Sequence, residues 1–377
     1  MKIALMVWGA SSGAGKSLLA TALCRWATRE GLDVAPFKAQ NMSNNARVVP
    51  VHADGLTDGG GALGEIGSAQ YFQALAARVP PHVDMNPVLL KPERDTASQV
   101  VLQGQANAAL SRMGWRERSA LLATAARDSF VRLAARHDAI VIEGAGSPAE
   151  INLAPQDYVN LGTARWARDL AGARGRLRAL LVADIDRGGA FAHLHGTWAL
   201  LPDDLRPALT GFVLNKFRGD AALLAPGPEQ LQALTGVPLL GVLPMKRDHG
   251  LPEEDGLYAA PTGGGSGPRI AIVAWPHLSN LDEFQSLAGA AAPRWVRSAA
   301  ELDGSDCVVL PGSKQVSGDL AWLRAQGLDR AIVAHAHAGR PVLGICGGLQ
   351  MLGRVLDDPE GVDGEAYGPL PGLGLLP

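Results

Sequence analysis

Cysteine is scarce in this sequence. Three occur in 377 residues, Cys24, Cys307 and Cys346, too few and too scattered for a disulfide framework or a C-x-x-C metal site, so a reducing cytoplasm is expected. No sign of charge dominates. With 34 basic and 37 acidic residues the net charge is −3 and no lysine run stands out, which argues against a nucleic acid as partner. No stretch reaches the ~18 uninterrupted apolar residues of a membrane span, and no charged region, apolar core and cleavage site open the chain. Apolar residues, by contrast, are plentiful: 47% of the chain is hydrophobic, enough for two or three domains.

The chain begins with an apolar run, Ile3 to Val7, followed by GASSGAGKS from Gly9 to Ser17 and an amphipathic segment to Arg29. Strand, glycine-rich turn and helix in that order are the context of a phosphate-binding loop. Gly13, Ala14 and Gly15 leave backbone N–H groups free to wrap phosphate oxygens, and the helix start adds its positive dipole end. Lys16 supplies a point charge and Ser17 a hydroxyl for Mg2+. The first glycine, Gly9, stands one position earlier than in the usual G-x-x-x-x-G-K-[ST] spacing.

Further apolar runs alternate with helical patterns: Val34 to Phe37, Ala139 to Ile142, Leu177 to Ala183, Gly211 to Leu214 and Leu239 to Leu243. This alternation predicts an α/β fold, a P-loop NTPase-type, mostly parallel sheet with helices on both faces. Ligands bind at the carboxyl ends of such strands, and chemistry-bearing residues recur there. Lys38 leaves the second strand, placed to hold an anionic substrate or a phosphoryl group unless it is a surface lysine. Glu143 ends the next strand, where a second Mg2+ contact is expected; a capping or structural acid is the other reading. Asp184, Asp186 and Arg187 share a glycine turn and either serve a metal or substrate or pair with one another. Asn215 follows its strand as a reader of a purine edge or as a turn residue. The polar, glycine-rich stretch from Ser43 to Gly67 reads as a long loop.

Residues 246 to 268, ending in a Gly/Ser/Pro run, read as a flexible linker between a first domain at 1–245 and a second at 269–377. The second domain restarts with Ile270 to Ala274 and has a later strand at Cys307 to Leu310. Residues Ala321 to Arg340 look helical, with a break at Gly327. His335 and His337, two apart, do not share a helix face, which argues against a metal site. Pro341 to Ile345 runs into Cys346-Gly347-Gly348 and a helical pattern. A cysteine at a tight glycine turn between strand and helix is the thiol form of a nucleophile elbow, exposing the side chain beside a backbone N–H that stabilises an oxyanion. Cys307 reads as a small buried hydrophobe.

The motifs GASSGAGKS, PFKAQNMSNNA, VDMNPVLLKP, VIEGAGSPAEINL, VADIDRGG, NKFRGD and LGICGGLQMLG, in this order, closely resemble those of the cobyric acid synthase family. The resemblance spans essentially the whole chain, and the block from Asp84 to Gly219 is its most specific part. The first half is similar to dethiobiotin synthetase and the second to class I glutaminases. The related a,c-diamide synthases share the layout but carry an acidic residue where this chain has Gln40-Asn41-Met42.

The resemblance implies a ligase that amidates the b, d, e and g carboxylates of adenosylcobyrinic acid a,c-diamide with ATP, Mg2+ and glutamine or ammonia; a homo-oligomer is left open. It also implies an ATP-dependent amidoligase domain at 1–245 and a partial glutamine amidotransferase domain at 269–377. Residue by residue, it implies a substrate or phosphate contact at Lys38, an adenine contact at Asn215, a thioester-forming nucleophile at Cys346, and an oxyanion hole from backbone N–H groups near Gly312 and Gly347. Two departures stand out. Gly13 occupies a position where relatives commonly carry Asp, and no histidine follows Cys346, all nine preceding it. The closing Gly372 to Pro377 reads as the middle of an incoming strand, so a truncated glutaminase half lacking its general base is expected. A nucleotide-switch protein with a non-catalytic glutaminase-like domain is the alternative, but switch ATPases of this fold carry an extra lysine early in the loop, where this chain has Trp8-Gly9-Ala10.

Overall fold

A computed structural model describes residues 1–52, 61–94, 97–171, 176–246, 249, 251, 267–287, 290–359 and 367–377. The linker reading therefore falls almost entirely outside the described residues, as does the tip of the 43–67 stretch. The described residues of Met1–Pro92 and Ala97–Pro252 form one unit and those of Glu93–Thr96 and Glu253–Pro377 a second.

The first unit is built on six strands: β1 (Ile3–Gly9), β2 (Val34–Phe37), β3 (Ala139–Glu143), β4 (Arg176–Asp184), β5 (Leu209–Phe217) and β6 (Leu239–Pro244), in the order β6-β5-β4-β1-β3-β2. All five pairings are parallel, as the near-continuous apolar runs require of strands covered on both faces. Alternate residues of β1 feed different layers. Ala4, Met6 and Trp8 join a large core with Phe37, Phe130 and Phe212, whereas Val7 joins Cys24, Val34, Val141 and Val213 on the opposite face. Burial, with the charge of Glu143 second, pushes the Cys24 thiol up, consistent with an inert packing residue.

Helix α1 (Lys16–Arg29) follows β1, and α2 (Ser68–Ala77) is tied to it where Thr28 Oγ1 donates to the Ala77 carbonyl at 3.0 Å. The 43–67 stretch is not simply a loop. Ala46–Pro50 pairs antiparallel with Leu63–Gly67, a ribbon hidden from a hydrophobicity reading because its outer face is exposed and glycine interrupts its return strand.

In the second unit, β7 (Arg269–Val273), β8 (Ala292–Val296), β9 (Cys307–Leu310) and β10 (Val342–Gly344) form a parallel sheet in the order β8-β7-β9-β10. The helical pattern around 321–340 resolves into α3 (Val316–Ala325) and α4 (Leu328–His337), parted at Gly327, whose φ of 67° suits glycine. Gly372 to Pro377 is not an incoming strand. The last strand, Tyr367–Pro371, pairs antiparallel with Val355–Asp358, and the residues after it are held by backbone bonds such as Leu373 N to Met351 O at 2.8 Å.

Candidate active sites

In the first unit the fold brings five side chains together, Ser17, Lys38, Gln70, Gln73 and Glu143. Glu143, fully buried at the end of β3, is their centre. Its Oε1 accepts from Lys38 Nζ at 2.8 Å and from Ser17 Oγ at 2.8 Å. Its Oε2 accepts from Gln73 Nε2 at 2.5 Å and, more weakly, from Gln70 Nε2 at 3.4 Å. Burial alone would raise this carboxyl, but the Lys38 ammonium, reinforced by hydrogen bonds from Lys38, Gln73 and Ser17, holds it below the usual carboxylate range. Lys38 is therefore no surface lysine: it is 2% exposed.

Lys16 folds back over its own loop, donating to the carbonyls of Ser11 and Gly146 at 3.1 Å each. This explains the early glycine. A Cβ at Gly9 would lie 2.7 Å from Lys16 Nζ, so the space under the lysine must be empty whatever the formal spacing. Gly13 and Gly15 take φ of 70° and 95°, left-handed values that favour glycine, and Ala14 is buried between them. Asn215, at the end of β5, donates from Nδ2 to the Ala14 carbonyl at 3.0 Å, and a Cβ at Gly15 would run into the same amide. This side chain braces the phosphate loop. Asp184 pairs with Lys216 at 3.1 Å and Arg187 at 3.4 Å, while Asp186 pairs with Arg218, so the acids of that turn meet cations.

The donor set suits Mg2+. Among the described residues there is no cage of three or more His, Cys, Asp or Glu side chains, and Mg2+ takes one or two protein oxygens plus phosphates and water. Two cis ligands at 2.0–2.1 Å around an octahedral ion lie about 2.9 Å apart, and Ser17 Oγ and Glu143 Oε1 are 2.8 Å apart. The hydrogen bond between them holds the pair at ligand spacing.

Sequence reasoning missed Gln70, Gln73 and Asn160. Asn160 grips both sides of Ala145, accepting its N–H at 3.1 Å and donating to its carbonyl at 2.8 Å, and so shapes the loop whose Gly146 carbonyl receives Lys16. The available signal was a pair of glutamines three apart on an otherwise apolar helix, a spacing that puts both on one face.

In the second unit Cys346 lies between β10 and a short helix, Gly347–Leu352, exposed and with φ 49° and ψ −115°. A non-glycine residue in that region stores strain of the kind found at functional turns. The glycines are structural necessities: a Cβ at Gly347 would meet Ser313 N at 3.0 Å, and one at Gly348 would meet Leu310 O at 2.1 Å. Gly348 N–H is spent on the Pro311 and Ile345 carbonyls. Gly312 and Ser313 form a short strand paired antiparallel with Leu278–Ser279. Asp319, fully buried, ties this region together. It accepts from Ser313 Oγ at 2.6 Å, and His277 meets it through its backbone N–H at 3.2 Å and Nδ1 at 2.9 Å. Burial raises its carboxyl, only partly opposed by the Ser313 and His277 hydrogen bonds. Cys307, partly buried, also has its thiol raised by burial.

Residues 5–256 match the family described as the CobQ/CobB/MinD/ParA nucleotide binding domain, and residues 269–377 match the CobB/CobQ-like glutamine amidotransferase domain. The chain is 62% identical over 384 residues to the cobyric acid synthase of Methylibium petroleiphilum, spanning 99% of this chain and 73% of that one. It belongs to the cobyric acid synthase family. The cobyric acid synthase of Variovorax paradoxus is 61% identical over 377 residues, 99% of this chain and 74% of its own. As a family member the chain is a glutamine amidotransferase-type ligase of cobalamin biosynthesis that uses ATP to drive amidation, and the nucleotide-switch alternative falls away. No helix among the described residues is long and apolar enough to cross a membrane.

Proposed function

We propose that the chain amidates the b, d, e and g carboxylates of adenosylcobyrinic acid a,c-diamide, in the cytoplasm, using ATP with glutamine or ammonia. The observation that supports it most is the convergence of Lys38 and Ser17 on Glu143 beside Lys16. A carboxylate is a poor electrophile, so its oxygen first attacks the γ-phosphorus of ATP, forming an acyl phosphate and releasing ADP. Ammonia then attacks the acyl carbon and phosphate leaves. Lys16 and Lys38 move from carbonyl and carboxylate partners to phosphoryl oxygens, matching the charge that develops there. Ser17 and Glu143 would hold Mg2+, which supplies charge neutralisation at the phosphates when bound. Asn215 braces the loop, and its remaining carbonyl is the proposed adenine contact.

The Cys346 sulfur would attack the glutamine amide carbon, forming a thioester and releasing ammonia, with Gly312 and Gly347 N–H groups as the proposed oxyanion hole. Water then cleaves the thioester to glutamate. Ammonium bypasses the Cys346 chemistry, so it is the donor that tests the ATP-dependent half by itself. The assay is ADP release and corrinoid amide formation with ammonium or glutamine. Corrinoid-dependent turnover is expected, and Lys16→Ala should lower it at least about 10²-fold with either donor. Absence of corrinoid-dependent turnover with both donors would overturn the proposal.

A further inference from the structure

Gln70 and Gln73 sit three apart on α2, both without solvent exposure, and both aim amide N–H groups at one oxygen, Glu143 Oε2. A turn of either amide would set its own oxygen against Glu143 Oε2, and two acceptors cannot bond. Gln70 Oε1 accepts from Asn41 Nδ2 at 3.2 Å, which fixes its Nε2 toward the carboxylate. Gln73 Oε1 is buried and has no hydrogen-bond partner among the described residues. A buried, unpartnered carbonyl costs on the order of 1–3 kcal/mol, a cost borne for the bond that the same amide donates to the buried carboxylate. The fold admits the pair closely: a Cβ at Gly67, just before α2, would fall 2.4 Å from Asn41 Nδ2 and 3.0 Å from Gln70 Oε1.

Glu143 thus presents two unlike oxygens. Oε2 is taken up by amides, while Oε1 faces Ser17 and Lys38. We propose that Gln70 and Gln73 are positioning residues that reserve Glu143 Oε2, so that the carboxylate meets the metal through Oε1 alone and the site favours Mg2+ over Ca2+. The physical reason is bite and size. Ca2+ takes carboxylates in either mode with flexible geometry at 2.3–2.6 Å, whereas Mg2+ requires a near-ideal octahedron that a single, oriented oxygen serves best. Without the two amides the carboxylate is free to rotate and chelate through both oxygens, and the preference narrows. This inference rests on reading Ser17 and Glu143 as the Mg2+ pair.

The test is the affinity of the whole chain for ATP with Mg2+ or Ca2+, by titration calorimetry without corrinoid, for the unsubstituted chain and for Gln73→Met, Gln70→Met and Glu143→Gln. Hydrogen-bond partners of metal ligands typically matter 10–100-fold for affinity. The Mg2+-over-Ca2+ ratio should fall about tenfold in Gln73→Met and less in Gln70→Met, whose hydrogen bond is the longer. A ratio unchanged in both folded glutamine variants, with Glu143→Gln still weakening Mg2+·ATP, overturns this inference alone. Unchanged Mg2+·ATP affinity in Glu143→Gln overturns the metal pair itself. Should Gln73→Met fail to give a cooperative thermal transition, Gln70→Met decides.

Discussion

Among the described residues two carboxylates have no solvent exposure, Glu143 in the first unit and Asp319 in the second, and their acidities move in opposite directions. Burial pushes both up. The difference lies in what they face: Glu143 has the Lys38 ammonium at 2.8 Å, whereas Asp319 has a serine hydroxyl and a histidine that carries charge only when protonated. A carboxylate kept ionised beside Lys38 suits the phosphoryl site proposed above. One that braces a serine and a histidine serves chiefly to fix backbone, here the Gly312–Ser313 segment against Gly347.

The largest test of this contrast removes the cation. Lys38→Met should cost about 3–5 kcal/mol in denaturant unfolding, because it leaves a buried charge uncompensated. Asp319→Asn should cost no more than about 1 kcal/mol, since an amide still accepts one hydrogen bond and the Ser313 hydroxyl is able to turn and accept another. Equal costs would mean that Glu143 does not depend on its ammonium.

A smaller effect separates strain from charge. Cys346→Gly should be more stable than Cys346→Ala by about 1–2 kcal/mol, because glycine adopts the positive φ without penalty. Both should leave ammonium-supported amidation within about twofold, a factor worth ~0.4 kcal/mol. A loss of ammonium-supported activity would break the division of labour between the two units.

The smallest effect is in pH. The depressed pKa of Glu143 contributes stability that is complete above the ordinary carboxylate value and is lost as pH falls through the depressed one. The raised pKa of Asp319 acts with the opposite sign: the folded state takes up its proton first, so stability is gained as pH falls from the raised value to the ordinary one near ~3.9. Hydrogen exchange should therefore show β3 losing protection only below about pH 4, while α3 gains protection on the way down to it. Protection that moves the same way in both would show that the two carboxylates share one environment.

By itself, the sequence determined the alternation of strands and helices, the parallel character of the first sheet and the strand ends at which chemistry gathers, because near-continuous apolar runs between glycine turns suit strands covered on both faces; the order of the strands in the sheet came from the tertiary structure. It also marked Lys16, Ser17, Lys38, Glu143 and Cys346, whose residue types at strand ends carry their chemistry with them. Only the tertiary structure decided which oxygen of Glu143 is engaged, that Gln70 and Gln73 hold it, that Asn215 braces the phosphate loop, and that Asp319 joins His277 to Ser313. The physical reason is distance along the chain. Local patterns record a residue's own helix or strand, whereas these contacts are set by how separate elements pack, and the buried glutamines and Asp319 look like ordinary polar residues until their surroundings exclude water.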